Sequence, residues 1–127
     1  MLIGSTRLLA MPLLTIGILA ALITQLAAQS QSPEEVAHQA GSVKGTAAGC
    51  DIDTTQYVSR VKSLFDHMAG QGSSAAKLDE IFSQAAMESE HQQRSEPSVG
   101  CDNFRGMFGE FTINNPDWTP SQGWKPL

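Results

Sequence analysis

Residues 55–94, TQYVSRVKSLFDHMAGQGSSAAKLDEIFSQAAMESEHQQR, decide the fold. Tyr57, Val58, Val61, Leu64, Phe65 and Met68 recur at steps of one and three, a single stripe of a 3.6-residue period. Ser59, Arg60, Lys62, Ser63 and Asp66 take the opposite face. The pattern predicts a helix from about Thr55 to Ala69, capped by Asp53, Thr54 or Thr55 and ended by Gly70 and Gly72. Beyond the loop Gly70–Ser74, the stripe Leu78, Ile81, Phe82, Ala85 and Ala86 predicts a second helix, Ala75 to Arg94, capped by Ser74 and stopped at Pro97. Its last turns, Glu88 to Glu96, are almost wholly polar. A five-residue loop makes the two helices antiparallel, with Phe65 near Ile81 and Val61 near Ala85. Val61, Leu64, Phe65, Ile81 and Phe82 are the expected core.

Outward from this hairpin lie the two cysteines of the chain, Cys50 and Cys101. They flank its open end, and only one intramolecular pairing is available to them. A disulfide closing a loop of about 50 residues contributes roughly 4 kcal/mol in the chain-entropy view. After Cys101, Phe104, Phe108 and Phe111 fall at helical spacing, interrupted by Gly106 and Gly109. A short third helical element is expected there, its aromatic rings capping the hairpin. The fold class is therefore mainly α: an antiparallel helical hairpin closed by one disulfide, with a short third element and irregular N- and C-terminal tails.

The N-terminus reads as a targeting segment. Arg7 is followed by an uncharged run, LLAMPLLTIGILAALI, from Leu8 to Ile23, and then by small residues. This is the basic-then-apolar order of a secretory signal, with cleavage expected after Ala28 and Ser30 as the second choice. An uncleaved anchor is the competing reading, since roughly 20 apolar residues span a bilayer; Pro12, Gly17, Thr24 and Gln25 thin the run. Residues 29–49 are expected to be a flexible lead. Within it, Ser32-Pro33-Glu34-Glu35 is a helix-start signal, giving about two turns from Pro33 to Ala40 before Gly41. Four segments result: signal 1–28, lead 29–49, disulfide-closed helical domain 50–111 and an irregular Pro/Trp tail 112–127.

Charge narrows the function. Removing the leader takes only Arg7 from 8 basic side chains against 13 acidic, leaving a net charge near −6. Such a body is a poor ligand for nucleic acid or anionic lipid. Ala47-Ala48-Gly49-Cys50 looks briefly like an acylation site, but no apolar run directly precedes it, and a disulfide is the expected fate of Cys50. His38, His67 and His91 are dispersed: on the hairpin mapping His67 and His91 stand roughly 18 Å apart along the axis, too far to share a metal. Glu88, Glu90 and Glu96 lie in a polar run and read as a solvated face. No catalytic residue, cofactor or metal is assigned.

The tail holds both tryptophans, Trp118 and Trp124. Either it folds back and the indoles cover the hairpin, or it stays free and they become partner contacts, a role for which tryptophan is enriched. The expected function is that of a small exported non-enzymatic protein, periplasmic or secreted. It would be a protein–protein interaction or envelope accessory module with a protein partner in the envelope or extracellular space. It would touch a membrane only if the leader stays attached. The alternative is a periplasmic carrier of small apolar ligands, or a chaperone.

Overall fold

The computed structural model divides into two units, Met1–Gln31 and Ser32–Leu127, and describes residues 31–96 and 100–125. The leader, with its signal and anchor readings, lies outside the described residues, as does Pro97. The second unit holds four helices: α1 (Pro33–Gly49), α2 (Thr55–Met68), α3 (Ala75–Ser95) and α4 (Cys101–Glu110). Two single 3-10 turns follow, Thr112–Asn114 and Pro120–Gln122, and no strand occurs among the described residues. The fold is mainly α, with α2 and α3 as the antiparallel hairpin and Cys50–Cys101 bonded across a Cα separation of 5.5 Å.

The start of α1 is the one its sequence announces. Ser32 caps it, its hydroxyl accepting the Glu35 N–H at 3.2 Å, with proline in the first turn. The helix does not stop at Gly41, however, and residues 33–49 are no flexible lead. It continues through Gly41 and Gly45 to Gly49 and becomes the most enclosed helix of the fold, with Val36, Ala37, Ala40 and Ala47 buried. In an isolated helix each internal glycine costs about 1 kcal/mol relative to alanine. Here that cost is offset by packing. Gly41, Gly45 and Gly49, four residues apart, lie on one stripe against the backbone of α3. A β-carbon at Gly45 would sit 2.7 Å from Ser89 Cβ, and one at Gly49 would sit 2.6 Å from Gln93 Cβ.

The same neighbours fix the direction of packing. Gly41 lies against Phe82 and Ala85, Gly45 against Ala86 and Ser89, and Gly49 against Gln93, so α1 and α3 run parallel. Theirs is the most extensive helix–helix contact among the described residues. The hairpin therefore does not close upon itself; much of the apolar stripe of α3 faces α1. The expected pairing of aromatic with aliphatic is also shifted by one residue: Phe65 meets Phe82 edge to face at 5.7 Å. Val61, Leu64, Phe65 and Phe82 are buried as expected, with Tyr57 and Leu78 beside them. Ile81 is only partly buried, against the margin of this core.

Two polar ties hold the ends. At the loop between α2 and α3, the buried Ser73 hydroxyl donates to the Glu34 carboxylate. At the start of α2, the Asp53 carboxylate accepts from the Thr55 N–H at 2.9 Å and the Thr55 hydroxyl at 2.7 Å. Hydrogen bonding holds both carboxyls below their ordinary values: the Ser73 hydroxyl does so for Glu34, the Thr55 N–H for Asp53. Because these pKa values are lower folded than unfolded, their stabilisation is complete above the unfolded carboxylate range. It is lost as pH falls through the folded values. Denaturant midpoints measured from pH 7 downward should therefore fall in the acid limb, and Glu34→Gln should flatten part of that fall.

Candidate functional site

Two surfaces gather the chemistry of the unit. The first is a groove of about 390 Å³ between α1 and α3. Phe82 and Ala86, both 4% exposed, lie at its base. Lys44 of α1 stands on one wall; Ser83, Met87, Glu90, His91 and Arg94 of α3 supply the rest. The geometry follows from the helical period. The buried stripe of α3 centres on Phe82, Ala85 and Ala86, so Met87 and His91 turn outward while Glu90 and Arg94 edge toward α1. Met87 is 74% exposed, the most exposed large apolar side chain described.

Arg94 organises the far end of this groove. Its guanidinium pairs with Asp51 at 3.3 Å and with Glu90 at 3.4 Å, and it donates to the Ala48 carbonyl at 3.0 Å. The Asp51 carboxylate, with Glu90 next, raises its pKa above the ordinary value for arginine. Half-exposed pairs of this kind contribute little stability. Their effect is to fix where the guanidinium stands, at the C-terminal end of α1, where cations are favoured by the helix dipole.

The second surface is the one the tail covers. Both tryptophans are folded back, Trp118 at 8% and Trp124 at 7% exposure, so the tail is not a free arm presenting indoles to a partner. Trp124 stacks on Phe111 at 6.3 Å, and Phe108 lies 5.3 Å from Tyr57. Trp118 Nε1 donates to the Gly123 carbonyl at 2.8 Å, closing the tail on itself. Arg60 of α2 pins the tail backbone by donating to the carbonyls of Ile113 at 2.5 Å and Asn115 at 2.6 Å. At the centre, the Tyr57 hydroxyl donates to the Ala40 carbonyl at 2.7 Å. Burial drives the pKa of this hydroxyl well above its ordinary range, against the opposing influence of the neighbouring Trp124. Tyr57→Phe should cost about 1 kcal/mol in denaturant melts, the usual net worth of one buried hydrogen bond. It should leave the helical signal intact.

No protein-family model, curated protein or solved structure matches the chain.

The remaining residues singled out in the sequence do not converge. His38 lies beside Ile81 and Glu88 in a smaller groove, His67 is exposed near the end of α2, and His91 lines the α1–α3 groove. No group of three metal-binding side chains occurs among the described residues. Cys50 and Cys101 are joined, the bond linking the end of α1 to the first residue of α4. Sequence reasoning missed Lys44 and Met87. Lys44 fell in a segment expected to be structureless. Met87 carried a legible signal: it is the large apolar residue that breaks the stripe of α3 and so must point to solvent.

Proposed function

We propose that the chain is exported and that its folded unit serves as a protein–protein interaction or envelope accessory module, not as an enzyme. The observation that carries this reading is the groove at Met87. It is concave, apolar at its base and rimmed by charge, and its size falls in the range of recognition sites. A methionine there offers adaptable contact. The tail aromatics, by contrast, are already used within the fold. Export is supported by the uncharged run after Arg7 and by the disulfide, which suits an oxidising compartment. No helix among the described residues is long and apolar enough to cross a membrane.

A carrier or chaperone for apolar ligands is the second reading. A carrier calls for an enclosed apolar cavity. The larger depressions of the described surface, about 260–410 Å³, are open grooves of mixed lining, one of Glu110, Phe111, Thr112, Asn114 and Asn115 among others and one of His38, Ile81, Gln84, Ala85 and Glu88. These lend the carrier little support.

Two measurements test the proposal. Intact mass of exported protein should begin near Gln29 with no free thiol; a mass retaining residues 1–28 would make the protein membrane-anchored. A photoreactive residue placed at Met87 should give discrete protein adducts in the producing cell, whereas one at Ser59, exposed on α2, should not. Equal labelling at both positions would remove the interaction assignment.

A further inference from the structure

We infer that the α1–α3 groove receives an acidic amphipathic segment of a partner protein. One apolar side chain of that segment would lie against Phe82, Ala86 and Met87, and a flanking carboxylate would meet Lys44. The inference rests on the interaction reading and adds the chemistry of the partner.

Charge complementarity carries it. The chain has 13 acidic side chains and 8 basic, yet this groove is lined by Lys44, Arg94 and the His91 imidazole and by one carboxylate, Glu90. Arg94 is matched by Asp51 and Glu90, which leaves Lys44 as the cation open to a partner. Lys44 is half-buried on the groove wall, and no ion pair to it occurs among the described residues. An ammonium held at an apolar groove without a counter-ion, in an otherwise acidic protein, is a ready contact for a carboxylate arriving from outside. Opposite charges across an interface chiefly set partner choice and encounter rate; apolar contact at Met87 supplies the rest.

A second copy of the chain fits less well. An antiparallel pairing of two α3 helices centred on Met87 would set Met87 against Met87 and Glu80 against Arg94. The outward face is otherwise Ser83, Gln84 and His91. One methionine per copy is far short of the apolar core of a stable dimer.

The test uses the full mature chain with its disulfide, isotopically labelled for NMR and titrated with a short synthetic peptide of leucine, glutamate and alanine in amphipathic order. Two control peptides replace every glutamate by lysine, or every leucine by alanine. Saturable shifts should be confined to Lys44, Ala86, the Met87 methyl and residues 90–94. Both controls should bind at least about tenfold more weakly, and Lys44→Glu should weaken the acidic peptide by a similar factor. Lys44 holds nothing else in place, so that variant keeps the fold. Equal binding of the lysine peptide, shifts centred elsewhere, or no shift at millimolar peptide overturns the inference. Shifts at Met87 that follow protein concentration alone do so as well, in favour of a second copy. Adducts at Met87 persisting despite a failed titration would leave the interaction reading standing and remove only the acidic partner.

Discussion

Gly45→Leu should cost about 3 kcal/mol or more, or prevent folding outright, while Gly106→Ala should be neutral or stabilising by up to about 1 kcal/mol. Both glycines are inside helices and look alike in the sequence. At Gly45 an added β-carbon would run into the backbone carbonyl of Ala86 as well as Ser89 Cβ and the Glu90 N–H. Backbone cannot turn aside as a flexible side chain can, so α1 and α3 would have to separate along their length. That would open the contact on which α1 depends. Around Gly106 nothing lies within 4 Å, and only its intrinsic helix cost is recovered. Thermal melts of the two variants beside the parent decide the matter. Equal small effects would mean that α1 and α3 do not approach as closely as described.

Replacing both cysteines by serine should lower stability by about 4 kcal/mol, the chain-entropy value for a sequence separation of 51. For a domain of this size that corresponds to a fall in Tm of roughly 20 °C. The effect should be distributed unevenly. The segment from Cys101 to Trp124 touches α2 through Tyr57 and Arg60, and beyond its main-chain continuity with α3 this bond is what ties it covalently to the end of α1. Hydrogen exchange in the serine variant should therefore accelerate first in α4 and the tail, with α3 following only at global unfolding. Uniform acceleration would show that the tail and the helical body open as one unit.

How far the sequence could be read depended on the size of the packing residues. The helices α2 and α3 were legible because Val61, Leu64, Phe65, Leu78 and Phe82 make stripes of large apolar residues. The disulfide was legible because two cysteines permit one bond. The element α1 was hidden for the opposite reason: it packs through Ala37, Ala40, Gly41, Gly45 and Gly49, which carry almost no hydrophobic periodicity and which, taken singly, argue against a helix. Their spacing of four was the available signal, and it has meaning only once a partner backbone is in view. The groove shared this fate. Its α1 wall is Lys44, which could not be placed beside Met87 until α1 was known to be helical and parallel to α3. The tail was legible in composition only; its indoles turn inward beside contacts such as Arg60 gripping the carbonyls of Ile113 and Asn115, made between distant segments with no local trace.

The parallel pairing of α1 with α3 also sets an order of events during synthesis. Helix α1 is made first, but it is too rich in glycine to persist alone, and the surface it needs is residues 82–93. A chain released as far as the end of α2 therefore holds no finished core, and long-range pairing of this kind delays collapse until nearly everything is available. Cys50 likewise waits for Cys101, which follows α3. The nascent polypeptide stays slack and threadable until late, and its one crosslink records that the last helix has arrived.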